Sequence, residues 1–264
     1  MRIKIIIALS AVAALSASGA AKGSLTLENG EEHKGVISWS SRAKSYVMKV
    51  GKIEQQFKET DVAKIDIEKP DAFDTAVAQV AKGQATAAIP ALQKIVSDYA
   101  HLQWDKVAGR YLAEAYVAAE RPSDALKVCE EIIKGEPSAA YQGDLAPAYW
   151  SALLSLNRRS PLEKSLEKAE KGTDRFTRGA ALIMRGDIAL KDGNESADAC
   201  KKALADGYLR VVFLYKDAEI AEKLQPEALY KAAHCFDKLG QSSRADFMRT
   251  ELKRAYASSP WANK

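Results

Sequence analysis

The sequence predicts a mainly α-helical chain, an α-solenoid of about five helical hairpins, preceded by a small all-β barrel. Three observations carry this. Leu112, Ala113, Tyr116, Ala125, Cys129, Ile132 and Pro137 fall on a helix-turn-helix register of 34 residues. The composition changes at Pro70, from β-branched and aromatic runs broken by turn residues to Ala-, Leu-, Glu- and Lys-rich text. A small residue also recurs where the second helix of a hairpin would touch the first: Ala88, Ala125, Ser165, Ala199 and Ala245, spaced by 37, 40, 34 and 46 residues.

Residues 1–20 read as a signal peptide. Met1-Arg-Ile-Lys4 is a short basic start, Ile5 to Ala17 is nearly all apolar, and Ser18-Gly19-Ala20 supplies small residues for cleavage after Ala20. Those 13 apolar residues fall short of the roughly 20 that a spanning helix needs, and no later segment is apolar enough, so no integral membrane segment is expected. Export would place the mature chain in the periplasm or associate it with the envelope.

Residues 24–68 should form about five strands: Ser24 to Leu27, Gly35 to Trp39, Ser45 to Val50, Ile53 to Phe57 and Val62 to Ile67. The turn signals Glu28-Asn29-Gly30 and Gly51-Lys52 separate them. This pattern resembles the small SH3-like or Sm-like barrels at the front of some envelope proteins. Such a barrel either binds a ligand or caps the helical array.

Residues 71–262 should carry the hairpins. The first helix of the unit needs a bulky pair with an aromatic one turn later; the second needs a small contact residue, then larger ones, then Pro. The 106–139 segment meets that rule, and Leu229, Ala232, Ala233, Phe236, Gly240, Ala245 and Leu252 keep it near the C-terminus. The spacing is that of a tetratricopeptide repeat. Tyr256-Ala-Ser-Ser-Pro-Trp-Ala262 resembles the repeat endings of envelope proteins such as the Tol-Pal coordinator and outer-membrane assembly lipoproteins, with Ala257 replacing the usual first Pro; Tyr99 to Trp104 looks like a decayed copy.

The resemblance implies a concave groove lined by the first helix of each repeat. It assigns to that groove Arg110 and Glu114; Trp150, Asn157 and Arg158; and Glu227, Tyr230, His234, Asp237 and Lys238. Trp150 and Tyr230 either line it or pack between hairpins. Aromatic and charged side chains suit an extended peptide or a partner helix.

Other classes find less support. Without Arg2 and Lys4, 37 basic residues stand against 35 acidic ones, an excess of +2 that is too small and too interspersed for a nucleic-acid binder. The three histidines, His33, His101 and His234, lie in different segments, and no nucleophile elbow, zinc-protease signature or phosphate loop occurs. No enzyme, cofactor or metal site is therefore expected. Adjacent His234 and Cys235 would point about 100° apart on a helix. Asp187, Asp192 and Glu195 read as helix ends and a turn. Three cysteines leave one odd: Cys129 reads as core, while Cys200 and Cys235 either bridge consecutive helices or simply pack. The expected function is an exported, non-enzymatic scaffold for protein partners in envelope assembly. The alternatives are a glycan- or peptidoglycan-associated binder using Trp39, Trp104, Trp150 and Trp261, or an accessory subunit of an envelope enzyme.

Overall fold

The structure, a computed structural model, describes residues 19–263. All but the last two residues of the expected signal peptide therefore lie outside the described residues. The chain is mainly helical with a small five-stranded antiparallel sheet at its N-terminal end. It divides into two compact units, residues 19–69 with 96–105, and residues 70–95 with 106–263. Among the described residues, no helix is long and apolar enough to cross a membrane.

In the first unit, strands β1 (Ala21–Leu27), β2 (Glu32–Ser40), β3 (Ser45–Val50), β4 (Ile53–Lys58) and β5 (Val62–Ile67) pair in the order β4-β3-β2-β1-β5. The strands extend beyond the runs of β-forming residues because backbone pairing continues past them. The β1–β2 ladder runs from Thr26 opposite Glu32 back to Ala21 opposite Ile37. Alternation places Leu25, Ile37, Trp39, Tyr46 and Met48 on one buried face, where Trp39 and its cross-strand partner Tyr46 meet edge-on at 4.9 Å.

The core of this sheet is completed by residues far along the chain. Leu102 is fully buried in it, the indole N–H of Trp104 donates to the Ile67 carbonyl at 2.9 Å, and His101 stacks on Trp39 at 4.5 Å. The segment from Tyr99 to Trp104, read from sequence as a degenerate repeat ending, thus belongs to the β unit. Its tight path needs left-handed backbone at His101 and Gln103, held in part by Asp105 accepting the His101 N–H at 2.8 Å.

The helices that follow are α1 (Phe73–Ala81), α2 (Ala85–Asp98), α3 (Trp104–Ala118), α4 (Pro122–Gly135), α5 (Leu145–Ser155), α6 (Arg159–Lys171), α7 (Arg175–Asp192), α8 (Ala197–Ala203), α9 (Leu209–Leu214), α10 (Ala218–Lys238) and α11 (Ser242–Ala255); apart from the last residues of α2 and the first of α3, they form the second unit. The small residues Ala88, Ala125, Ser165, Ala199 and Ala245 all lie on the second helix of a pair, and all are buried. So are the apolar register positions Leu112, Ala113, Tyr116, Cys129, Ile132, Leu229, Phe236 and Leu252.

The first helix of each pair ends in the same turn. The Gly83 N–H donates to Val80 O and the Gln84 N–H to Gln79 O; the same two bonds recur at Glu120/Arg121, Asn157/Arg158, Asn194/Glu195 and Gly240/Gln241. Each leading residue has a positive φ, and the first four stand 37 residues apart. The last interval is longer for two local reasons. Helix α8 passes through a π-helical turn (Leu204–Tyr208) into α9, and α10 is 21 residues long.

Two side chains close exposed helix ends. Asp174 caps the start of α7, accepting from Phe176 N–H and Thr177 N–H. Gln225, buried on α10, donates its amide to the carbonyls of Val211, Val212 and Tyr215 at 3.0, 3.2 and 2.8 Å, which stops α9.

Candidate functional site

Helices α3, α7 and α10, with the start of α5, bring charged residues together on one face of the second unit. At its centre Lys231 lies between Asp187 of α7 and Glu227, one turn earlier on α10. Its ammonium is 2.7 Å from both Asp187 oxygens and 2.5 Å from a Glu227 oxygen. The Tyr208 hydroxyl donates to Asp187 Oδ1 at 2.7 Å. Burial works against the charge on Lys231, but Asp187 and Glu227 outweigh it and hold the amine protonated well above the usual lysine range.

The local fold builds this cluster from two close approaches. A Cβ at Gly186 would sit 2.5 Å from the Tyr208 ring, and one at Gly207 would sit 2.7 Å from Leu182 O. Glycine at both places lets the π-turn press against α7, which delivers the Tyr208 hydroxyl to Asp187. Burial first, and the Asp187 charge next, raise the Tyr208 phenol far above its ordinary range, so it acts as a fixed donor and not as a base.

Around this core lie further charges. Lys223 of α10 pairs with Asp144 before α5 at 3.2 Å and lies over the Phe176 ring. Glu114 of α3 keeps solvent access, yet crowding by the protein first, then the carboxylates of Glu227 and Asp144, raise its pKa above the usual range. Residues from four separate hairpins therefore share one electrostatic neighbourhood. With Glu114, Asp144, Asp187 and Glu227 against Lys223 and Lys231, that neighbourhood is acidic.

The residues expected to line a groove separate into distinct groups. Glu114 and Glu227 meet in the cluster. Tyr230 is half-buried and packs against Trp261 at 5.2 Å, and His234 is exposed with its ring 3.6 Å from Glu195. Lys238 also reaches Glu195, at 3.1 Å. Asp237 turns towards α11, where it pairs with Arg249, and Arg110 reaches Glu136 at 3.8 Å.

Three expectations need correction. Trp150 is fully buried, its indole N–H donating to Ala140 O at 2.9 Å, because α5 is apolar on nearly every side. Asn157 and Arg158 form the exposed turn between α5 and α6, since α5 ends at Ser155. Asp187 lies inside α7 and not at a helix end.

Lys231, Tyr208, Asp144 and Lys223 were missed altogether. The nearest sequence signal was the pair Gly186-Asp187 and Gly207-Tyr208, whose meaning depends on a contact 21 residues apart. The three cysteines are buried free thiols. Among the described residues, no group of three or more His, Cys, Asp or Glu is placed to hold a metal ion. Comparison with models of known protein families, with curated proteins and with solved structures finds no match.

Proposed function

We propose that this chain is an exported, non-enzymatic scaffold of the cell envelope. In this proposal the helical pairs form a tetratricopeptide-like solenoid, the N-terminal sheet is a small SH3-like or Sm-like barrel, and the face carrying the Lys231 cluster binds an extended segment or helix of a protein partner. The carrying observation is that Glu114, Asp144, Asp187 and Glu227, from distant points of the sequence, converge on one face beside Tyr230 and Trp261. Charged groups fixed by helices give a partner directional contacts, and the adjacent aromatic pair gives it contact area. Five repetitions of one helix-ending turn agree with a stacked repeat. The glycan-binding alternative has less support, because Trp39 and Trp150 are buried in separate cores and offer no stacking surface.

The test is affinity capture from crosslinked envelopes with the full-length protein and with Glu114→Arg. Glu114 is solvent-accessible, so the variant should keep the wild-type melting curve while reversing one charge of the face. Recovery of the partner should fall at least about tenfold. Equal recovery with both proteins would move the binding surface elsewhere.

A further inference from the structure

Cys200 and Cys235 differ from the third cysteine in their surroundings. Cys129 is enclosed by Ala113, Ile132, Ala139, Leu145 and Ala148, with no second sulfur in that cluster. Cys200 lies in the first turns of α8 and Cys235 near the end of α10, helices that pack against each other, and both are fully buried. A single residue locates both. The backbone carbonyl of Glu195 is 3.9 Å from Cys200 Sγ, while its carboxylate holds His234 and Lys238, which flank Cys235 on α10. Glu195 thus ties the turn that holds Cys200 to the stretch of α10 that carries Cys235. Burial first, then the neighbouring Cys200 thiol, raises the Cys235 thiol well above its ordinary range.

We propose that Cys200 and Cys235 are a disulfide-forming pair that covalently joins α8 to α10, and that Cys129 stays reduced. The oxidant is a disulfide. In a transiently opened helix pair one cysteine thiolate attacks a sulfur of that disulfide, forming a mixed disulfide and releasing one thiolate. The second cysteine thiolate then attacks the protein sulfur and releases the other. The chain loses two protons and two electrons, and the oxidant becomes two thiols. Because both sulfurs are buried as thiols, reaction must pass through local opening and should be slow in the folded protein. The bridge would close a loop of about 35 residues beside Asp187 and Tyr208, fixing the π-turn against α10. This proposal does not depend on what the acidic face binds.

The test uses the full-length protein with glutathione disulfide, applied both to the folded chain and during refolding. Thiols are counted after denaturation, and the peptides are mapped by mass. Of three thiols one should remain, on Cys129, with a Cys200–Cys235 linked peptide. The melting temperature should rise by roughly 10 °C and return to its starting value with dithiothreitol. In Cys200→Ala or Cys235→Ala, oxidant should produce no internal bridge and no such rise. The wild-type peptide map needs neither variant to fold. Three thiols persisting under both treatments, a bridge to Cys129, or a bridge that leaves the melting temperature unchanged or lower would each overturn the proposal.

Discussion

A buried glutamine beside a proline would ordinarily count against a helix, yet Gln225 is what makes the α9–α10 corner possible. Pro226 gives up its own N–H inside α10, and at the end of α9 Val211 O still accepts from Tyr215 N–H, while the carbonyls beyond it lie past the last helical donor. One amide serves the carbonyls of Val211, Val212 and Tyr215 at this corner. Gln225→Leu keeps similar bulk but leaves the carbonyls of Val211, Val212 and Tyr215 without that donor. Stability should fall by about 2–3 kcal/mol, read as a lower urea midpoint with an unchanged slope. An unchanged midpoint would mean that water replaces the amide. Nothing in the sequence announced this role, because the partner carbonyls belong to the backbone of another helix. Lys231 was hidden for a related reason: its Asp187 partner stands 44 residues away. Trp150, which the sequence left between lining a groove and packing, packs, because its helix is apolar on nearly every side.

At the scale of elements, apolar positions and the hairpin turns at Asn29-Gly30 and Gly51-Lys52 were legible, and most turns between helices were not. Leu112, Tyr116, Cys129, Leu229 and Phe236 could be placed in register because burial is carried by side-chain type. The repeated left-handed turn is carried by backbone conformation, and at Glu120, Asn157 and Asn194 no glycine marks it. Caps fall between these cases, since Asp174 is a strong capping residue type. Burial tends to raise its carboxyl, but hydrogen bonds from the Thr177 side chain and from the N–H groups of Gly143, Thr177 and Phe176 outweigh this and bring the pKa below the ordinary range. A lowered folded-state pKa contributes stability above the unfolded-state value, and that contribution is lost as pH falls through the folded value. Asp174→Ala should therefore cost about 1 kcal/mol at neutral pH. The gap between variant and wild-type melting temperatures should narrow progressively on acidification below the normal aspartate range. A gap independent of pH would assign the loss to something other than the charged cap.

Across the whole molecule, the chain leaves the β unit at Lys69, builds α1 and most of α2, and returns to the sheet's core between Val96 and Asp105 before continuing into the other helices. The composition change at Pro70 made the first crossing legible. The return was invisible, because Leu102 and Trp104 lie in a segment whose spacing resembles a repeat ending, and only the folded sheet reveals their use. A cut at Pro70 would thus separate the sheet from part of its own core. Leu102→Asp tests this dependence without cutting the chain, since it puts a carboxylate where the leucine has no solvent exposure. Hydrogen exchange should show the amides of β1, β2 and β3 losing protection by at least about a hundredfold, the equivalent of roughly 3 kcal/mol of local stability. The amides of α10 and α11 should exchange as in the wild type, because their buried residues lie in the other unit. Equal loss in both units would mean that the two unfold as a single cooperative body. Loss confined to α10 and α11 would contradict the placement of Leu102 in the sheet.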